Sequence, residues 1–157
     1  MAPDDPDVQA GSTSAPLQAL LDAAAARIAR LEPTGALTAI RAGGVLIDIR
    51  SEPDRERDGI VPGSLHIPRT VLEWRLAPDS SWRSPYVGDL DQQVILMCDH
   101  GCSSILAAAT LVDLGFARAG DVIGGFAAWR AAGLPTVPAR PNDRAPGEPP
   151  GMQGPDN

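Results

Sequence analysis

Apolar and polar positions along the chain switch repeatedly between two periods. Leucines at 17, 20 and 21, then Ile28 and Leu31, fall at helical spacing inside an alanine-rich run, which predicts one helix over Ala15 to Leu31. Ser14 is placed to cap it and Pro33 to stop it. Thr34 to Ala42 reads as a second short helix ending in Gly43-Gly44. Val45 to Arg50 is a buried strand, Ser51 to Arg57 a charged helical turn, and Ile60 to Gly63 a turn. Ser64 to Pro68 is a short strand, and Thr70 to Leu76 is a small helix carrying Trp74. Ala77 to Asp91 contains prolines 78 and 85 and Gly88, and reads as a surface excursion. Val94 to Met97 is a continuous apolar run, the mark of a strand buried on both faces. Ser104 to Leu114 suits a helix closed by Gly115, Ala119 to Ile123 another strand, and Gly124-Gly125 the start of a helix that Gly133 ends.

Strands alternating with helices predict an α/β fold: a small central, mostly parallel sheet with helices on both faces. Residues 15–136 form the expected domain. Residues 1–14 and 137–157 are rich in Pro, Gly, Ser and Asp and are expected to be disordered tails.

Composition narrows the partners. Aromatics are only 4% of the 157 residues, so Ala, Leu, Ile and Val must build the core. All 13 basic residues are arginine and the net charge is −7, which disfavours nucleic acid and anionic membranes. No apolar run approaches the roughly 20 residues of a membrane span. Met1-Ala2-Pro3-Asp4-Asp5 lacks a signal-peptide layout. Two cysteines four positions apart make no disulfide framework. A cytoplasmic setting is therefore expected.

Candidate chemistry collects after the Val94–Met97 strand. Cys98-Asp99-His100-Gly101-Cys102-Ser103-Ser104 places a thiol where a strand ends and a helix begins. In open parallel sheets ligands bind at that edge. The first amides of a helix lack internal partners and favour an anion, and a thiolate is one. The alternative is a structural cysteine, since free cysteines are often buried. Asp48 lies inside a strand run and needs partners, with Arg50 or nearby backbone amides as candidates; placed at the strand end it would cap the next helix, a structural role favoured over catalysis. His66 is read as structural, satisfied near Asp48 or by backbone, and Phe126 and Trp129 as core. Gly124 and Gly125 fit a tight strand-to-helix turn rather than a phosphate loop.

Three segments together resemble the single-domain rhodanese family of sulfurtransferases. Leu46 to Arg50 followed by Gly59 to Pro68 resembles the family's first signature, Cys98 to Ser104 its active-site loop, and Gly124 to Trp129 its closing signature. The resemblance implies the rhodanese fold and a persulfide cycle on Cys98. The implied reaction takes sulfane sulfur from a thiosulfate- or polysulfide-like donor and passes it to a thiol or cyanide. The implied partners are a small sulfur-containing anion or persulfide donor and a thiol acceptor. A partner protein recruited by the N-terminal helix or acidic tails is left open, as is a non-enzymatic regulatory module or thiol redox sensor. No cofactor is implied.

The resemblance has three departures. Asp99 and His100 stand where thiosulfate-using relatives often carry a basic residue. Asp99 would repel a dianion by ~1 kcal/mol if solvated at a few Å, so modest thiosulfate activity is expected. Arg50, Arg69 or Arg75 are the candidates for compensating charge. His100 is either a proton shuttle or a solvated loop residue. Cys102 is either a resolving thiol or a small residue offering its backbone N–H. Cysteine phosphatases need an arginine closing the loop, yet the next arginine after Cys98 is Arg118. Cys98, His100 and Cys102 crowd one turn with no second ligand pair, so no metal is expected.

Overall fold

A computed structural model of the protein describes residues 13–140. Five parallel strands form one sheet in the order β1-β5-β4-β2-β3. They are β1 (Ala29–Leu31), β2 (Val45–Asp48), β3 (Leu65–His66), β4 (Val94–Met97) and β5 (Ala119–Val122). The helices are α1 (Ala15–Ala25), α2 (Pro33–Arg41), α3 (Glu52–Asp58), α4 (Leu72–Leu76), α5 (Ser103–Asp113) and α6 (Gly125–Ala131). A short 3₁₀ turn, Arg69–Val71, leads into α4.

Each strand residue faces the opposite way from its neighbour, and the core divides accordingly. Ile47, Val94 and Leu96 join Leu72 and Leu76 of α4 and Ala107, Ala108 and Leu111 of α5 on one side. Leu46, Ile95, Met97 and Val122 join Ala36 of α2 and Phe126 and Trp129 of α6 on the other. The central strand β4 is fully buried, as its unbroken apolar run predicts. Phe126 and Trp129 are core residues.

The predicted helix Ala15–Leu31 is corrected. The Ser14 hydroxyl does cap α1, accepting from the Leu17 N–H at 3.3 Å. The helix stops at Ala25, however, and residues 29–31 pair with β5 as an edge strand. Pro33 then opens α2 instead of ending α1, since proline is well suited to a first helical turn. Helical spacing at Ile28 and Leu31 was overridden by backbone pairing at the sheet edge. α1 packs Ala24 against Ile105 and Ala109 of α5.

The predicted C-terminal boundary also moves. Val137, expected to head the tail, exchanges two backbone hydrogen bonds with Ile60, at 2.8 and 2.9 Å. Of the expected tails, 1–14 and 137–157, residues 1–12 and 141–157 lie outside the described residues. The excursion 77–91 is held down by buried Val87 and Ser84, and by the Ser84 N–H to the Arg75 carbonyl at 2.8 Å.

Candidate active site

The strand order sets the site. β4 lies between β5 and β2, and its carboxyl end delivers Cys98 directly into the turn before α5. Cys98 is 6% exposed and borders the core face that includes Ile49 and Ile67. Its sulfur accepts the Gly101 N–H at 3.1 Å. Among the described residues, no protein acceptor meets the N–H groups of Cys102, Ser103 or Ser104. These are the first donors of α5, left over as at any helix start.

The closing glycines let the loop pack directly on the start of α6. The first turn of α6 takes the loop's carbonyls. Phe126 N–H donates to the Cys98 carbonyl at 2.8 Å, and Ala127 N–H to the Asp99 carbonyl at 3.0 Å. A side chain at Gly125 would lie 2.5 Å from the Cys98 carbonyl oxygen. Gly101 has φ +82°, and a Cβ there would lie 2.5 Å from the Gly124 nitrogen. With these two carbonyls bonded to α6, the Gly101 N–H is the loop amide that meets the Cys98 sulfur. Gly124 and Gly125 serve close packing, as their sequence context suggests.

Behind the sulfur lies a polar chain of which the sequence reading named Ser104 but missed Asp121 and Arg30. The Ser104 hydroxyl sits 3.3 Å from Cys98 Sγ and donates to Asp121 Oδ2 at 2.7 Å. Ser104 and Asp121 are wholly buried. Arg30 grips both carboxylate oxygens of Asp121, at 2.9 and 3.1 Å, and donates to the Gly101 carbonyl at 3.1 Å. The Asp121 carboxylate, chiefly through this hydrogen bond, raises the pKa of Arg30 and keeps it charged. Arg30 and Asp121 are register partners on β1 and β5. The signal was available: Asp121 interrupts an apolar strand run just as Asp48 does. Assigning residues 29–31 to a helix hid its partner.

The other predicted residues divide cleanly. Asp99 is one-third exposed and lies 3.4 Å from Nδ1 of half-exposed His100. Cys102 and Ser103 are exposed at the start of α5, and both cysteines are free. Asp48 and Arg50 form a buried pair away from the sulfur chain. Arg50 donates Nε to Oδ1 at 3.0 Å and Nη2 to Oδ2 at 2.8 Å, and Nη2 also reaches the Gly59 carbonyl at 2.8 Å. Its guanidinium lies 3.9 Å over the Phe126 ring. Buried Arg55 adds its Nε 3.5 Å from Asp48 Oδ2. Asp48 is thus held by the Arg50 partner the sequence offered, whereas the helix that follows, α3, is capped by Ser51, whose hydroxyl accepts the Asp54 N–H at 3.3 Å, and not by Asp48.

The predicted arginines have partners away from the loop. Arg50 is committed to Asp48, Arg69 to Glu73 at 2.9 Å, and buried Arg75 to the Trp82 carbonyl at 2.6 Å. Arg30 is the arginine that touches the loop. His66 is satisfied near Asp48, with Nε2 at the Arg50 carbonyl (2.9 Å) and Nδ1 by Glu52 (3.1 Å). Burial, aided by the Arg55 charge, lowers its pKa and outweighs those two acceptors. Among the described residues, no group of three or more His, Cys, Asp or Glu side chains could hold a metal ion.

A parallel α/β sheet with a cysteine in a strand–loop–helix turn defines a cysteine-centred class within which several chemistries are known. Residues 32–132 match the rhodanese-like domain family. The chain belongs to that family, and its enzyme class is rhodanese-type sulfurtransferase. It is 37% identical over 101 residues to the thiosulfate sulfurtransferase GlpE of Stutzerimonas stutzeri strain A1501, covering 64% of this chain and 84% of that one. Among solved structures, a protein of unknown function and possible tyrosine phosphatase from Rhodopseudomonas palustris CGA009 is 35% identical. That alignment has a TM-score of 0.71 and covers 77% of this chain and 93% of the other. The polysulfide-sulfur transferase homodimer of Wolinella succinogenes aligns with a TM-score of 0.66 at 24% identity, covering 87% and 97%, a likeness of fold. No helix among the described residues is long and apolar enough to cross a membrane.

Proposed function

We propose that this protein carries sulfane sulfur on Cys98. The Cys98 thiolate attacks the outer sulfur of a donor such as thiosulfate. The donor's S–S bond breaks, sulfite leaves with the bonding pair, and Cys98 holds a persulfide. A thiol or cyanide then attacks the terminal sulfur and returns Cys98 as thiolate. The observation that carries this reading is the Gly101 N–H on Cys98 Sγ at 3.1 Å. It is supported by the N–H groups of Cys102, Ser103 and Ser104, which meet no protein acceptor among the described residues. Fixed donors of this kind stabilise a sulfur anion without reorganisation.

Thiosulfate is the donor named for the curated GlpE relatives, and it is the first to test here. Asp99 places a carboxylate near its approach, which favours modest turnover or a less charged, polysulfide-like donor. Two free cysteines suit a reducing, cytoplasmic setting. Intact-mass spectrometry after incubation with thiosulfate or inorganic polysulfide should show a gain of about 32 Da, one sulfur atom. The adduct should vanish with cyanide and be absent from Cys98→Ser. An unmodified wild-type mass with every donor would overturn the reading.

The phosphatase chemistry suggested for the Rhodopseudomonas relative fits this loop poorly. A phosphate dianion needs a bidentate cation. The loop from Cys98 to Ser104 has no arginine, and Arg30 is bound to Asp121 and the Gly101 carbonyl. Hydrolysis of p-nitrophenyl phosphate should stay at the level of the Cys98→Ser variant.

A further inference from the structure

We infer that Asp121, held by Arg30, governs where the Ser104 hydroxyl points, and that this hydroxyl turns to the Cys98 sulfur when the sulfur is anionic. The inference rests on Cys98 being the reacting thiol and deepens that reading. It makes Ser104 a group in contact with the reacting atom, and Asp121 and Arg30 positioning residues behind it.

Ser104 has one hydroxyl hydrogen and two polar neighbours, Asp121 Oδ2 at 2.7 Å and Cys98 Sγ at 3.3 Å. A carboxylate can only accept, so the hydroxyl donates to Asp121. The Ser104 oxygen then accepts the Cys98 S–H. That arrangement suits the thiol. Once the thiol proton has left for solvent, the sulfur has nothing to donate and needs a donor. Asp121 and the sulfur anion then compete for one hydrogen. Arg30 decides the competition, because its two donors keep both carboxylate oxygens bonded after the hydroxyl turns away. Ser104 and Asp121 have no solvent exposure, so water is not at hand to take the hydroxyl's place. The same turn would serve the terminal sulfur anion of a persulfide.

Other charged groups surround the site without entering this chain of contacts. Asp99, His100 and Cys102 lie in the loop, half-exposed or exposed. On the β2 and β3 side, Asp48, Arg50 and Arg55 form one cluster, His66 faces Glu52, and Arg69 faces Glu73. α5 has no acidic residue in its first turn. On α6, Arg130 is exposed and points toward Asp58.

The test is the rate of Cys98 alkylation by iodoacetamide as a function of pH, with peptide mapping to separate Cys98 from Cys102. Asp121→Asn should release the hydroxyl and raise the rate near neutral pH by about threefold or more, moving the profile toward acid. Ser104→Ala should lower the rate. In the Ser104→Ala background the gain from Asp121→Asn should shrink to less than about half. Arg30→Gln should slow alkylation, and should do so less in the Ser104→Ala background. It removes a partly exposed side chain, so it keeps the test alive should Asp121→Asn fail to fold. Equal effects in both Ser104 backgrounds would reduce Asp121 and Arg30 to bare charges and overturn the inference. So would a wild-type profile in Arg30→Gln. Alkylation needs no sulfur donor, so these outcomes are independent of the 32 Da adduct. An adduct with no coupling sinks only this inference, and coupling without an adduct sinks only the sulfur-carrier reading.

Discussion

Two aspartate–arginine pairs, each with a buried carboxylate, flank β4, and they differ in what the carboxylate has left to bond. On β2, Asp48 is gripped by Arg50 from two residues along the same chain segment. Its remaining capacity goes to the Arg50 N–H at 3.0 Å and to Arg55. Both Asp48 oxygens are used within that segment, although Arg50 Nη1 and Arg55 Nε are buried with no hydrogen-bond partner among the described residues, and Arg50 is covered by Phe126. On β5, Asp121 is gripped by Arg30 from a neighbouring strand 91 positions away in sequence. Its remaining capacity goes to Ser104, which touches the sulfur. The same residue pair is structural when all its acceptors are used internally. In the proposed reading it serves the site when one acceptor is left for a hydroxyl beside Cys98.

The contrast can be broken most directly by removing each arginine. Arg50→Met leaves Asp48 buried with its main partner gone and should cost about 3–5 kcal/mol of stability in chemical denaturation. Arg30→Gln should cost distinctly less, because Arg30 is partly exposed and Asp121 keeps Ser104 as a donor. An Arg50→Met protein more stable than Arg30→Gln would invert the assignment of the two pairs.

Next in size is the loop between β4 and α5, which packs on the first turn of α6. Gly101→Ala forces a side chain at φ +82° against the Gly124 nitrogen. The loop must shift, and the sulfur loses its aligned N–H. Sulfur loading from thiosulfate should fall about tenfold to a hundredfold with a smaller fall in melting temperature. Loading at the wild-type rate would mean the Gly101 amide is dispensable.

A third acid at the same end of the sheet gives a smaller effect. Asp99→Asn should raise kcat/KM for thiosulfate about fivefold at low salt, the equivalent of ~1 kcal/mol of repulsion removed, and less at high salt. No change would show that Asp99 faces away from the donor.

The smallest effect belongs to the Asp48 side. His66 has its folded-state pKa lowered by burial and by Arg55. Below its unfolded value of about 6.5 the unfolded chain therefore binds more protons than the native one. Stability from this group is present above that pH and is lost as pH falls through the mildly acidic range. His66→Gln should flatten the slope of denaturation midpoint against pH between about 7 and 5. An unchanged slope would assign the acid sensitivity elsewhere.

Local pattern carried much of the fold. The fully buried β4 run, the glycine closures and Cys98 at a strand–helix junction were legible because each depends on residues adjacent in the chain. Asp48 and Arg50 were legible as a pair for the same reason, being two residues apart. β1 was not. Ala29-Arg30-Leu31 has no strand pattern of its own, and its neighbours continue a helical spacing. Only the open edge of β5, offering unpaired N–H and C=O groups, turns it into a strand. Arg30 was lost with it. Val137 was assigned to a tail for a similar reason, since its partner Ile60 lies far back in the sequence.

The amino-acid order by itself determined an α/β chain with one thiol set at the start of a helix, because period, capping and turn chemistry act over a few residues. Tertiary structure alone decided what stands behind that thiol. Arg30, Ser104 and Asp121 come from β1, α5 and β5, and no local rule relates them. Their contact exists because a parallel sheet aligns the carboxyl ends of strands from distant parts of the chain at one edge.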